Sequence, residues 1–175
     1  MRREIQAVFL DRDGTIGGNG GWLPPEHFAL YPYAAEAIKI LKNAGIKIFA
    51  LTNQHPISMG KGTVEEFEEQ FKGFGFDESY ICPHAINAGC ACRKPKPGMI
   101  YAAAEKYGLD PKKCAVIGDA GDTDIMAAAN AGCIKILVRT GIGEESLTKY
   151  RDKWAEIEPD YVADNVLDAV RWLLE

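Results

Sequence analysis

VFLDRDGTIGG, residues 8–18, is the stretch on which the reading of this chain turns. An apolar run breaks off at two aspartates, Asp11 and Asp13, which are followed by a glycine–threonine pair and more glycines. Taken with the residues before it, IQAVFLD (5–11) has the pattern of a strand buried on both faces whose carboxyl end lies at Asp11. Similar segments follow at IKIFALTN (46–53), ESYICPH (78–84), KCAVIGD (113–119), IKILVRTG (134–141) and PDYVADN (159–165). Helical patterns lie between and after them. AAEAIKILKNAG (34–45) stops at Gly45, and TVEEFEEQFKGFG (63–75) opens with a Thr63 cap and acids in its first turn. KPGMIYAAAEKYG (96–108) is entered through Pro97 and closed by Gly108, TDIMAAANAG (123–132) stops at Gly132, and VLDAVRWLLE (166–175) closes the chain. GGNGGWLPPEHFALYP (17–32) is rich in glycine and proline and reads as a loop with room for a short hairpin. The alternation predicts an α/β fold, a parallel sheet with helices on both faces, in a single domain over residues 1–175.

Composition sets the outer bounds. A chain of 175 residues buries roughly 70% of its unfolded surface, enough for a real core. With 20 basic and 25 acidic residues the net charge is -5, which argues against a general nucleic-acid binder. The basic tip MRR is followed by too short an apolar run for a secretory signal, and no segment reaches the ~20 apolar residues of a membrane span. The expectation is a cytoplasmic protein, acting as a monomer, away from membrane and nucleic acid, with reduced cysteines.

Ligands of open α/β sheets bind outside the carboxyl ends of the strands. The predicted strands bring Asp11, Asp13, Thr52, Asn53 and Asp119 to that edge, and Lys94 falls in the loop after the third strand. Each could be a mere cap or turn residue; together they make a rim of carboxylates, a hydroxyl and a lysine. Clustered carboxylates repel one another unless a cation joins them, and oxygen donors of this kind suit Mg²⁺ with a substrate phosphate. Lysine, threonine and backbone N–H groups suit phosphate oxygens. The chemistry that uses all these parts is phosphoryl transfer, one aspartate attacking phosphorus and a second handling the leaving group's proton.

The order of these fragments resembles the haloacid dehalogenase (HAD) superfamily, phosphatase branch. DRDGT (11–15) looks like its first motif, LTN (51–53) its second, the lysine of RKPKPG (93–98) its third and GDAGDTD (118–124) its acidic fourth. The resemblance implies a Rossmann-like HAD fold and a hydrolase of phosphoric monoesters. It makes Asp11 the nucleophile and a Mg²⁺ ligand, and Asp13 the general acid and then base, its backbone carbonyl on the metal. Thr52 and Lys94 would hold the phosphoryl group and Asp119 would bind Mg²⁺. Asp122 and Asp124 compete for the supporting metal role, and the register of the following helix favours Asp124. No insertion is long enough for a large cap, so water is the expected acceptor.

CPHAINAGCAC (82–92) carries three of the five cysteines beside a histidine. Cys82, His84, Cys90 and Cys92 offer four ligands of the kind that hold tetrahedral structural Zn²⁺, which would frame a loop too small for its own core. Cys114 and Cys133 lie in or beside apolar strands and read as core. A zinc loop running into CRKPKPGM resembles the heptose bisphosphate phosphatases, which remove the 7-phosphate of D-glycero-D-manno-heptose 1,7-bisphosphate, and their relatives the histidinol-phosphate phosphatases. That similarity implies a small phosphorylated metabolite as substrate, a minimal cap, and Asn53 and Arg93 as substrate contacts. TNQHPIS (52–58) departs from the TNQSGI usual there, placing His55 and Pro56 at the rim, and Ala120 stands where a lysine is usual. Specificity then falls to the loops at 17–31, 54–62 and 83–93, with Trp22, His27 and Arg93 as candidates. A non-catalytic zinc-stabilised binding protein is the alternative of another class; it has no chemical need for both Asp11 and Asp13.

Overall fold

The computed structural model describes residues 3–175. Its strands are β1 (Ala7–Leu10), β2 (Lys47–Asn53), β3 (Glu78–Cys82), β4 (Cys114–Gly118), β5 (Ile134–Val138) and β6 (Tyr161–Ala163). The helices are α1 (Ala34–Asn43), α2 (Val64–Phe74), α3 (Gly98–Tyr107), α4 (Met126–Ala131), α5 (Gly143–Leu147) and α6 (Val166–Leu174). The strands form one parallel sheet in the order β3-β2-β1-β4-β5-β6. The chain runs outward from β1 to β3 and then returns to the other side of β1. The connections therefore diverge at the carboxyl ends of β1 and β4, where a crevice opens.

Period-two alternation sorts the sheet's side chains into two layers. Val8, Leu10, Ile48, Ala50, Ala115, Ile117, Ile136 and Val138 face the layer containing α1, α2 and α6. Ala7, Phe9, Phe49, Leu51, Cys114 and Val116 face α3 and α4, and Cys114 and Cys133 sit in that core as the sequence suggests. Both faces are covered, which is why the strands read as continuous apolar runs. The Thr63 capping box of α2 is present: Thr63 Oγ1 accepts from Glu66 N at 3.3 Å, and Glu66 Oε2 accepts from Thr63 N at 2.9 Å.

Several boundaries differ from the sequence reading. β1 and β5 are shorter than expected, and β3 ends at Cys82, ahead of Pro83, which has no N–H for a ladder. The helix expected from Thr123 instead opens with a π-helical turn over Gly121–Ile125 before α4. α5 and the 3-10 turn Arg151–Trp154 fall in a stretch with no clear apolar period, and the sequence reading misses both. The 17–32 loop closes as a minimal hairpin through one antiparallel bridge, Gly17 to Leu30. Among the described residues no helix is long and apolar enough to cross a membrane.

Phe49 is fully buried and its ring meets Phe9, Tyr107 and Tyr80 at centroid distances of 5.3, 5.0 and 5.7 Å. Phe49→Ala removes this junction of β1, β2, β3 and α3. It is expected to lower stability by roughly 3–5 kcal/mol, measured by urea unfolding.

Candidate active site

The crevice is a cleft of about 360 Å³ lined by Asp11, Asp13, Trp22, Thr52, Asn53, His55, Arg93, Lys94, Asp119 and Asp124, among others. Asp11 follows β1 and Asp119 follows β4, neighbouring strands, so parallel pairing alone brings the two carboxylates side by side. Asp124 joins them from the π-helical turn; the ligand oxygens of the three lie within 4.8 Å of one another. Asp122 lies on the same turn outside this group, so of the two it is Asp124 that joins Asp11 and Asp119.

Close approach of backbone makes the cluster possible. Gly14 has φ +83°, and a Cβ there would lie 2.2 Å from Asp119 Oδ2; a Cβ on Gly118 would lie 2.2 Å from Asp124 Oδ2. Glycine is required at both because the carboxylates occupy the space a side chain would fill.

Lys94 is the counter-charge. Its buried ammonium lies 2.6 Å from Asp124 Oδ1, 3.1 Å from Asp11 Oδ1 and 2.7 Å from the Leu51 carbonyl. Burial would depress this ammonium's pKa, but Asp11 and Asp124 outweigh it and hold the pKa above its ordinary value. One lysine does not balance three carboxylates. Burial, then the charges of Asp11 and Asp124, push Asp119 well above the usual carboxylate range. Burial and Asp11 push Asp124 up to about 7 against the pull of Lys94. An oxygen-only donor set with surplus negative charge fits Mg²⁺.

Asp13 stands apart from this group. Arg12 Nη1 donates to its Oδ1 at 2.7 Å, and Gln54 Nε2 donates to its Oδ2 at 2.9 Å. Burial raises its pKa, with the Arg12 guanidinium opposing and the Asp11 charge adding to the rise. Arg12 itself is fully buried, bonded to Leu23 O and Gln70 Oε1 and stacked 3.9 Å over the Phe28 ring. Thr52 is buried and accepts from Gln54 Nε2 at 3.0 Å. Asn53 lines the cleft, but its amide also clamps the Lys94 backbone: Nδ2 donates to Lys94 O at 3.2 Å and Oδ1 accepts from Lys94 N at 3.0 Å. Arg93 Nη1 is buried in the structure with no hydrogen-bond partner. A buried guanidinium donor without an acceptor at the wall of a cleft suits a ligand that brings one. His27 is exposed and is not among the residues lining the cleft.

Sequence reasoning singled out neither Arg12, Thr15 nor Gln54 for a role. Thr15 Oγ1 donates to Asp11 Oδ2 at 3.2 Å. Ile142 N, at the start of α5, donates to Asp119 Oδ2 at 2.9 Å, so the unexpected helix serves the site. Arg12 and Thr15 lie within the first motif and Gln54 follows the second; that adjacency is the signal that could have found them.

The loop before Lys94 gathers Cys82, His84, Cys90 and Cys92. Cys82 Sγ lies 3.6 Å from Cys90 Sγ and 3.1 Å from Cys92 Sγ, and His84 Nδ1 lies 3.2 Å from Cys92 Sγ. These separations are far too long for a disulfide, and near the ~3.8 Å edge of a tetrahedron with 2.3 Å zinc–sulfur bonds. The donor set fits structural Zn²⁺. Two residues past Cys92, the Lys94 ammonium enters the cleft.

Two measurements follow. Because their pKa values are raised on folding, Asp119 and Asp124 contribute stability that is present below the unfolded carboxylate range and is lost as pH rises toward 7. Melting of the Mg²⁺-free protein should reflect that loss between about pH 4 and 7. Added Mg²⁺ should raise the melting temperature more at pH 8 than at pH 5, since it binds the ionised carboxylates. Elemental analysis should find one zinc per chain; its chelation, or Cys90→Ser, should lower the melting temperature and kcat together.

Comparison with known proteins agrees with this geometry. A family model described as HAD-hydrolase-like matches residues 91–169. A D-glycero-β-D-manno-heptose-1,7-bisphosphate 7-phosphatase of Vibrio cholerae is 36% identical, the match spanning 96% of this chain and 96% of the relative. The enzyme of the same name from Escherichia coli K12 is 33% identical over 81% of this chain and 83% of its own. In structure, the D,D-heptose 1,7-bisphosphate phosphatase of B. bronchiseptica, complexed with magnesium and phosphate, superposes with a TM-score of 0.83 at 28% identity, covering 97% of this chain and 98% of that one. Matched over most of its length by enzymes of this name, the chain belongs to the HAD-like heptose bisphosphate phosphatase family.

Proposed function

We propose that the chain is a Mg²⁺-dependent phosphomonoesterase that removes the 7-phosphate of D-glycero-β-D-manno-heptose 1,7-bisphosphate through an aspartyl-phosphate on Asp11. The observation that carries this reading is the division of labour between the two aspartates of the first motif. Asp11 lies beside Asp119, Asp124 and the Lys94 ammonium, whereas Asp13 is drawn away by Arg12 and Gln54. In this reading the first meets phosphorus and the second the leaving oxygen.

Asp11, Asp119, Asp124 and the Asp13 backbone carbonyl would hold Mg²⁺, which when bound neutralises the carboxylates and the phosphoryl oxygens. Lys94 and the Thr52 hydroxyl hold the phosphoryl group, as charged and neutral donors aimed at its oxygens. The Asp11 carboxylate attacks phosphorus, forming a P–O bond as the ester P–O bond breaks. Protonated Asp13, favoured by its raised pKa, passes its proton to the departing alkoxide. Asp13, now ionised, takes a proton from water as that water attacks the phosphoaspartate, releasing inorganic phosphate and restoring Asp11. Arg93, with its unpartnered Nη1, meets the substrate beyond the transferred phosphate. All these residues come from one chain, so the reading needs no second copy at the site; action as a monomer is part of the proposal. A cytoplasmic setting would keep the zinc-ligand thiols reduced.

Steady-state kinetics on both heptose 1,7-bisphosphate anomers, histidinol phosphate and p-nitrophenyl phosphate test the assignment. The β-anomer should show the highest kcat/KM; a clear preference for another ester overturns the substrate, and inactivity on all of them overturns the mechanism. Asp11→Asn should abolish turnover, and Asp13→Asn should slow it by roughly 10²- to 10⁴-fold. Arg93→Ala should raise KM for the bisphosphate by about 10-fold or more, the worth of a hydrogen bond to a charged group, with a smaller change for p-nitrophenyl phosphate.

A further inference from the structure

Trp22, on the 17–32 loop, donates its indole N–H to Gln54 Oε1 at 2.7 Å. Gln54 is fully buried, and its Nε2 gives one hydrogen to Asp13 Oδ2 at 2.9 Å and the other to Thr52 Oγ1 at 3.0 Å. Every polar atom of the Gln54 side chain is thereby used. An indole N–H can only donate, so it fixes which end of the amide faces it. Turning the Gln54 amide over would set two donors, indole N–H and Nε2, against each other in a buried place. It would also present Oε1 to Asp13 and Thr52.

The direction of these bonds decides where two hydrogens point. Thr52 accepts from Gln54, so its hydroxyl hydrogen is free for an acceptor in the cleft. Asp13 Oδ1 accepts from the charged Arg12 guanidinium and Oδ2 only from the neutral Gln54 amide, so negative charge stays on Oδ1 and in the acid form the proton belongs on Oδ2. Gln54 offers Oδ2 a donor and cannot take that proton. Resting on the phosphomonoesterase reading above, we propose that Trp22 and Gln54 are positioning residues. Trp22 locks the Gln54 amide so that neither the Asp13 carboxyl hydrogen nor the Thr52 hydroxyl hydrogen is absorbed by the protein, and both are directed at the substrate. Trp22 sits on one of the loops available for specificity, so correct seating of that loop is coupled to readiness of the acid.

Trp22→Phe keeps the ring and deletes the N–H. The released amide turns over for part of the time and captures the Asp13 proton. The signature is a dependence on the leaving group, read in kcat/KM, which reports the steps up to leaving-group departure. The heptose bisphosphate expels a primary alkoxide that needs a proton, whereas p-nitrophenyl phosphate expels a phenolate that does not. Trp22→Phe should lower kcat/KM by about 10-fold for the first and by markedly less for the second, at an unchanged melting temperature. Gln54→Glu, which fills the same space with acceptors only, should widen the gap between the two esters. An equal loss on both esters, or no loss on either, overturns the proposal. If the wild-type protein hydrolyses p-nitrophenyl phosphate but not the heptose ester, any primary alkyl phosphate that it does turn over replaces the latter. A failed substrate assignment is then not mistaken for failed positioning; a wild-type protein inactive on all esters overturns both.

Discussion

The Lys94 ammonium, 2.6 Å from Asp124 and 3.1 Å from Asp11, is the contact on which the site depends. Three carboxylates gathered at the end of a buried sheet repel one another, and each has lost most of its water. Removing one partner of a buried ion pair leaves an uncompensated charge, which is far costlier than losing a surface pair. A single lysine offsets only part of the excess negative charge. The remainder makes the crevice a place for a divalent cation and adds to burial, the larger cause, in raising the pKa values of Asp119 and Asp124 above those of ordinary aspartates.

That lysine has to be delivered from a loop with little apolar content. The loop after β3 buries few side chains of its own, yet it carries Arg93 and Lys94 into the cleft. With zinc bound, the four zinc-type ligands would replace a hydrophobic core with a few strong bonds, and Asn53 fastens the Lys94 backbone to the end of β2. Gly98, where α3 begins, comes so near the Ala91 carbonyl that a Cβ would lie 2.3 Å from its oxygen, so the helix start packs directly on the cysteine loop. Metal ligands, clamp and close packing together hold one ammonium in place.

The parts legible in the sequence are those governed by short-range rules. Buried parallel strands read as apolar runs ending in polar residues, so Asp11, Thr52 and Asp119 could be placed on one rim before any coordinates. The Thr63 cap and the glycine stops worked for the same reason, and the Cys82–Cys92 ligands stood out because soft donors are rare and clustered. What escaped depends on contacts distant in sequence. Arg12 lies between two motif aspartates and could as well have pointed to solvent; only Phe28, Leu23 and Gln70, brought over it by folding, make it a buried support for Asp13. α5 has almost no apolar period, and its use, a backbone N–H given to Asp119, is invisible without the fold. His27 is the opposite case, since nearness along the 17–32 loop did not bring it into the lining of the cleft.

The π-helical turn at Gly121–Ile125 holds one more residue than an α-helical turn would close around, and Asp124 rides on it. Each helical residue advances the side-chain direction by about 100°. Loss of a single amino acid here would leave α4 and its neighbours able to pack, yet swing that carboxylate around the axis and away from Lys94. Segment length at this turn is therefore as much a determinant of the centre as the identity of any side chain in it. Homologues with a deletion at this point would be expected to keep the scaffold and abandon the chemistry.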